Sequence, residues 1–586
     1  MICLGIESTA HTFSVGLITD TGKLLGLSSD TYMPSEGGLK PIDVVEHHYN
    51  CYDSLLKSAL IKAKIRLKEV GLIAFSQGPG LGPCLRVGAA VARALSLKLN
   101  IPLVGVNHCI AHIEIGREMC GVEDPVTLYV SGGNTIISAF DSDHYQVFGE
   151  TLDLPIGNML DMVAREIGIP HPGGPRMESL SKLGKKYFPL PYIVKGMDLS
   201  FSGLYSKIRS LLRNPNLWQK EYTQEDLIYS LQETSFAMLT EVFERAIAHT
   251  EKKSVLLTGG VAANQRLQEM ISIIAKNHDA EFHVVPLKVA GDNGAMIAWA
   301  GIQQFHSGGA DLIDATKIKP KWRMDQVPIP WKKEVENRIY LKQSGQNFPV
   351  ISDTLLAEIK NLNFSHVNKI LRKGAEATLF QGRWFERDVV VKFRSKKPYR
   401  VEKLDIQIRK QRTLIEGRAL LSLAKMGFPV PPVYEVMPSE GIIVMKFLQA
   451  DRLKDRMNSF NSSQIKIVFQ KIGRLVATLH LADHMHGDLT TSNILYTDQN
   501  ELFFIDFGLA KRDIGIEEMA MDIHLFKRVL QSTHGALFDR TYPAFIEGYQ
   551  NCTQLSDKME LILSRVDHIE LRGRYIAKDK RRKELH

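Results

Sequence analysis

The chain has 586 residues, 44% hydrophobic and 24% charged, with a net charge of +8. That is too long for one hydrophobic core and predicts two to four domains of ordinary globular composition. No stretch reaches the roughly 18 apolar residues of a membrane span, and "MICLGIESTAHTFSVGL" lacks the basic start and apolar core of a signal peptide. Six scattered cysteines without a C-x-x-C pair fit free thiols, so a cytoplasmic protein with no membrane contact is expected.

In chain order, "LGIESTAHTFSVGLITDTG" reads as strand, Ser/Thr turn, strand. Next, "VNHCIAH" places His108 and His112 four residues apart, so that on a helix both imidazoles share one face. The H-E-x-x-H metalloprotease motif uses that spacing, with its Glu as general base. Here Cys109 takes the Glu's place, which counts against a peptidase. A lone histidine pair in an apolar helix is more often structural than metal-binding, and the spacing alone leaves both readings open. "TLYVSGGNTIISAFDSD" then repeats the plan of the first hairpin. Two such turns, each able to offer backbone N–H groups to an anion, predict a duplicated domain holding a nucleotide phosphate between its copies.

Further on, "SVLLTGGVAANQRLQEMI" reads as a buried strand, a Gly259-Gly260 turn and a helix opening near Asn264, a residue suited to capping or to ligand contact. In "HVVPLKVAGDNGAMIAWAG", Asp292 stands at a helix start, with a cap as the default role and a metal ligand as the alternative. Proline, tryptophan and charge in "KPKWRMDQVPIPWKKEVENR" predict a linker over 326–345, between domains at 1–325 and 346–586.

Beyond it, three fragments stand in kinase order. "VVVKFR" puts Lys392 on a strand, "HGDLTTSN" spaces Asp488 and Asn493 as in H-R-D-x-x-x-x-N, and "FIDFGLA" supplies Asp506. In kinases these positions pair with ATP phosphates, act as base and hold magnesium. Glu416 is the candidate partner of Lys392. Departures are as informative: Gly374 stands alone where protein kinases carry three loop glycines, Gly487 replaces the Arg of H-R-D, and no A-P-E follows. Little platform for a peptide is left. The tail "LRGRYIAKDKRRKELH" carries Arg572, Arg574, Lys578, Lys580, Arg581, Arg582 and Lys583 against two acids, and reads either as a frayed end or as an arm following a phosphate backbone.

"NHCIAH", "YVSGGNT", "HPGGPRME", "LTGGVAANQRL" and "AGDNGAM" together make the first half resemble the tRNA threonylcarbamoyltransferases. The resemblance implies an α/β, duplicated RNase-H-like fold of the actin, sugar-kinase and chaperone superfamily. It implies one iron or zinc ion on His108, His112, Tyr129 and Asp292. It also implies contacts to threonylcarbamoyl-AMP from Tyr129, Val130, Ser131, Gly132, Gly133, Asp161, Gly174, Glu178 and Asn264. The second half is similar to the small atypical kinase of the KEOPS complex, a minimal bilobal α+β domain. That likeness implies ATP bound near Gly374, Lys392 and Glu416, with magnesium on Asn493 and Asp506 and Asp488 as catalytic base. The expected protein is a fusion that modifies adenosine in tRNA, supplied with adenylate by a separate synthetase and assisted by other small KEOPS subunits. The competing readings are a metallopeptidase with a regulatory kinase domain and a signalling kinase on a nucleotide-binding scaffold.

Overall fold

The structure, a computed structural model, describes residues 1–34, 40–141, 143–332 and 365–570. These form two compact units: residues 1–193 with 199–332, and residues 194–198 with 365–570.

In the first unit, β1 (Ile2–Glu7), β2 (Thr12–Thr19) and β3 (Leu24–Thr31) form an antiparallel meander. Helix α1 (Pro41–Ala63) leads to β4 (Leu72–Gly78), and α2 (Gly82–Leu99) leads to β5 (Leu103–Asn107). Both strands add in parallel, giving the order β3-β2-β1-β4-β5. After α3 (His108–Cys120) the plan recurs: β6 (Val126–Val130), β7 (Thr135–Asp141) and β8 (His144–Glu150) are antiparallel. Helices α4 (Ile156–Glu166) and α5 (Gly174–Ser181) follow; the short strands β9 (Val194–Lys195) and β10 (Asp198–Leu199) come next in the chain, residues 194–198 being grouped with the second unit. Helices α6 (Ser202–Arg213) and α7 (Gln224–Thr250) precede β11 (Ser254–Thr258), which joins β6 in parallel. Across α8 (Gln265–Asn277), β12 (Glu281–Val284) completes the order β12-β11-β6-β7-β8. The echo between the two hairpins is therefore a true duplication: three antiparallel strands, then two parallel crossovers, twice.

Helices α9 (Leu287–Ala290) and α10 (Gly294–Gly308) close the body. One buried cluster joins Val104 and Val106 of the first sheet, Ala111 and Ile115 of α3, Leu256 of the second sheet and Met296 to Ala300 of α10. Backbone contact makes this possible: a Cβ on Gly5 would fall 2.1 Å from Gly294 O, and one on Gly16 would fall 2.2 Å from Ala295 N. The Gly294 N–H donates to Ser14 Oγ at 3.0 Å.

The proline-rich seam begins later than its composition predicts. Ile329 is fully buried and its N–H donates to Asp143 O at 2.8 Å, while Lys332 Nζ pairs with Asp124 at 2.8 Å. Apolar and ionic anchoring thus packs 326–332 onto the first unit. The rest of the expected linker, 333–345, and the basic tail from 571 lie outside the described residues.

The second unit opens with an antiparallel sheet, β13 (Ser365–Lys373), β14 (Thr378–Trp384), β15 (Arg387–Phe393), β16 (Val433–Met437) and β17 (Ile442–Lys446), in the order β13-β14-β15-β17-β16. The helix Glu402–Lys425 packs on it. A helical part follows, its core built from Phe469, Ile472, Phe526, Phe545 and Tyr549 on the helices Ser462–Leu481, Ile516–Thr533 and Phe538–Gln550. This is the small sheet-and-helix bilobal plan expected of the second half.

Candidate functional site

Asn107 caps α3, accepting from Cys109 N at 3.0 Å and Ile110 N at 3.2 Å, so His108 is the first helical residue. His108 and His112 then share a buried face, with ring centroids 4.7 Å apart. The cap of α10 is Asn293, whose Oδ1 accepts from Met296 N at 3.0 Å. Asp292, expected by default to cap, is left free to face the histidines. Its Oδ1 lies 3.2 Å from His112 Nε2 and 3.6 Å from His108 Nε2. From β6, Tyr129 OH reaches 3.3 Å from His108 Nε2. Two imidazole nitrogens, a carboxylate and a phenol oxygen converge, and ligand atoms of His108, His112 and Asp292 all lie within 4.8 Å of one another. That donor set fits a divalent transition metal.

Sequence reading missed what stands behind His108. Glu7, fully buried at the end of β1, places Oε2 3.0 Å from His108 Nδ1. Its Oε1 accepts from Thr9 N at 2.6 Å and from the Thr9 hydroxyl. A carboxylate on Nδ1 fixes the tautomer that turns Nε2 toward a metal. Nothing in the spacing signals it, because a lone Glu at a strand end is ordinary. His112 lacks such a partner: its Nδ1 is buried with no hydrogen bond, so ring packing on His108 and Tyr129 sets its orientation. Burial opposes charge on His108, yet Glu7 and Asp292 hold its pKa up at about 9. Burial lowers that of His112, whereas Asp292, despite burial, is held well below the usual carboxylate range by His108 and His112.

The expected adenylate contacts fall into three neighbouring groups. In the turn after β6, Ser131 Oγ accepts from Gly133 N at 3.2 Å and Asn134 N at 2.9 Å, leaving Gly132 and Gly133 exposed. Gly259, at φ 95°, brings the turn after β11 against Val130; a Cβ there would lie 2.2 Å from Val130 O. On α4, Asp161 Oδ1 accepts from Gly173 N at 2.8 Å just before Gly174 opens α5, and its Oδ2 lies 3.3 Å from His171 Nδ1. Asn264 is a helix cap, its Oδ1 accepting from Arg266 N at 3.0 Å and Leu267 N at 3.2 Å, and Glu178 Oε1 accepts from Gln265 N at 3.1 Å. His11 was also missed. Its ring lies 5.2 Å from that of His171, and burial lowers its pKa against the pull of Asp292 and Asp161.

In the second unit, Lys392 Nζ lies 2.9 Å from Glu416 Oε1 and 2.7 Å from Asp506 Oδ1. Burial works against this ammonium, but Asp506 and Glu416 hold its pKa above the usual value. The fully buried Arg394 takes the other Glu416 oxygen at 2.5 Å and reaches Glu376, in the turn after Gly374, at 3.3 Å. Asn493 Nδ2 donates to Asp488 O at 2.9 Å and Oδ2 at 3.1 Å. Asp522 holds the loop from below, accepting from His486 N at 2.6 Å and Gly487 N at 2.9 Å. The departure from H-R-D has a backbone cause. Gly487 adopts φ 79°, and a Cβ there would sit 2.2 Å from Leu509 O.

A duplicated-sheet domain with a His-His-Tyr-Asp centre, joined to a kinase-like domain with its Lys-Glu-Asp triad in place, defines a two-part transferase. Residues 24–299 match the family described as tRNA N6-adenosine threonylcarbamoyltransferase, and residues 362–535 match the RIO domain. The chain is 42% identical to the probable bifunctional tRNA threonylcarbamoyladenosine biosynthesis proteins of Methanothermobacter thermautotrophicus and Methanocaldococcus jannaschii. Each alignment covers 98% of this chain and 100% of the relative. The chain belongs to this family of bifunctional tRNA threonylcarbamoyladenosine biosynthesis proteins. Among solved structures, the Rio2 kinase from Chaetomium thermophilum overlaps 37% of this chain and 74% of its own, at 14% identity and a TM-score of 0.27. No helix among the described residues is long and apolar enough to cross a membrane.

Proposed function

We propose that the first unit moves a threonylcarbamoyl group from threonylcarbamoyl-AMP to N6 of adenosine 37 in tRNAs reading codons that begin with adenine, releasing AMP. The RIO unit acts as an ATPase and Ser/Thr kinase in support. What carries this reading is the convergence of His108, His112, Tyr129 and Asp292, with Cys109 rather than a glutamate following His108 in the chain. The substrate is an activated anhydride, so no water needs a general base. N6 attacks the carbamoyl carbon, the bond to the phosphate oxygen breaks, AMP departs with the electron pair, and the N6 proton is released to the departing phosphate or to solvent. The chain's task is orientation and charge stabilisation. The exposed backbone of Gly132 and Gly133 suits the phosphate, and Asp161, Gly174, Glu178 and Asn264 frame the nucleoside. An iron or zinc ion on the four ligands would supply a fixed positive charge able to polarise an acyl-phosphate oxygen. A peptidase would need a base where Cys109 is a buried thiol.

In the RIO unit, Lys392 and Glu416 suit ATP phosphates, Asp506 and Asn493 suit magnesium, and Asp488 suits the base. Partners are tRNA, the adenylate synthetase and other small KEOPS subunits in the cytoplasm, with the basic tail following the tRNA backbone. Nucleoside mass spectrometry of tRNA incubated with the chain, threonine, bicarbonate, ATP, the synthetase and the partner subunits tests the reading. Absence of threonylcarbamoyladenosine with every component active refutes it.

A further inference from the structure

A second group of metal-type side chains lies on the outer side of the first sheet, apart from the His108 centre. Asp30 is on β3, and His47 and Cys51 are four residues apart on one face of α1. One ligand atom from each lies within 4.8 Å of the others. One contact is closer: His47 Nε2 to Asp30 Oδ2 is 3.4 Å. A tetrahedral zinc site has neighbouring donors about 3.3–3.6 Å apart, so closure asks for shifts of about 1.5 Å or less.

The two histidines are linked. His48 Nε2 lies 3.0 Å from Ala10 O, and a carbonyl only accepts, so Nε2 donates there. His47 Nδ1 lies 3.3 Å from His48 Nδ1, which leaves His47 Nε2 to face the Asp30 carboxylate. A carboxylate, an imidazole nitrogen and a sulfur gathered from two elements make the mixed donor set of a thiophilic divalent cation.

We propose that Asp30, His47 and Cys51 form a second metal site, for zinc or another thiophilic divalent cation, distinct from the centre on α3. The His47–His48–Ala10 hydrogen-bond chain stands behind it and turns His47 Nε2 toward Asp30. Binding displaces the Cys51 proton, since the thiolate is the form that ligates. The bound ion would staple α1 to β3, and through His48 would steady the β1–β2 turn three residues beyond Glu7.

Cobalt titration of the chelator-stripped full chain provides the test, because among the metal-type groups of the described residues only this one offers a thiolate. A near-ultraviolet sulfur-to-cobalt charge-transfer band saturating at one equivalent is expected. It should vanish in Cys51→Ser, weaken at least tenfold in affinity in His47→Gln and Asp30→Asn, and persist in His108→Ala/His112→Ala and in Cys109→Ser. Asp30 is exposed, so Asp30→Asn reports on the site without endangering the fold. Cobalt still bound at the His108 centre shows that Cys51→Ser remains folded. No charge-transfer band in the parent chain, or a band unchanged in Cys51→Ser, overturns the proposal and leaves His47 and Asp30 as a simple side-chain pair between α1 and β3.

Discussion

Replacing Glu7 with Ala removes a group that is not itself a proposed metal ligand yet should control metal binding. In the folded chain its Oε2 sits 3.0 Å from His108 Nδ1. Without it, Nδ1–H keeps only the longer contact to Thr9 Oγ1 at 3.3 Å, at a cost of about 1–3 kcal/mol, and the ring is freer to turn. Loss of such an outer carboxylate lowers metal affinity by about 10–100-fold, or about 1.4–2.8 kcal/mol. Glu7→Gln keeps an oxygen acceptor and should fall at the low end. The charge also sets the pH response. Because metal-free His108 is held at about 9, above its ordinary 6.5, metal must displace its proton, so apparent affinity should rise about tenfold per pH unit toward pH 9. For the metal-free fold the sign is opposite: this pairing contributes stability that is full below about pH 6.5 and lost as pH rises through about 9. In Glu7→Ala both slopes should flatten. Chelator competition at several pH values measures the affinity, and thermal melts of stripped protein measure the stability. Parental affinity and an unchanged pH slope in Glu7→Ala would refute the assigned role.

Three further outcomes are expected. Gly487→Ala must hold a side chain at φ 79° against Leu509 O; it should destabilise the RIO unit by about 2 kcal/mol or more in denaturant melts and lower ATP turnover, leaving metal content unchanged. Asp488→Asn and Asp506→Asn should abolish ATP hydrolysis and slow tRNA modification only on repeated turnover, sparing a single turnover with preformed adenylate; ATP hydrolysis at the parental rate in Asp488→Asn would show that the RIO unit's base is elsewhere. Neutralising Arg572, Arg574, Lys578, Lys580, Arg581, Arg582 and Lys583 should reduce the salt dependence of tRNA binding by about 0.7–0.9 in log–log slope per lost phosphate contact, as filter binding would show; an unchanged slope means the tail is a frayed end.

What could be read from sequence was whatever follows from spacing along one element. His108 and His112 share a face because helices repeat every 3.6 residues, and the hairpin echo became two sheets of identical order. Spacing is blind to contacts between elements. Asp292 looked like a cap because it precedes a helix, but Asn293 one residue later takes that task and frees the carboxylate. Asn264, equally placed, does cap. Glu7 and Asp522 act on groups 101 and 35 residues away, and each is a single acid in an otherwise ordinary element. Residues 326–332 read as linker yet pack on the first unit, because proline and charge mark a chain leaving a sheet as readily as one leaving a domain.

The contact of Gly5 and Gly16 with Gly294 has a consequence in time. Ser14 and Gly294 are 280 residues apart, and a ribosome adding about 5–20 residues per second takes roughly 14–56 s to cover that distance. For the later part of that interval, once His108 has been made, the hairpin bearing Glu7 has that ring to hold, while the segment that brings Asp292 has not yet been made. The metal centre therefore cannot be complete on the nascent first sheet, however early that sheet folds. On the proposed ligand set, the last ligand would arrive with the segment that closes the domain, and an ion captured before then would be held by an incomplete set. Loading would then wait on synthesis of nearly the whole transferase half, with cations sorted by the finished site rather than by the growing chain.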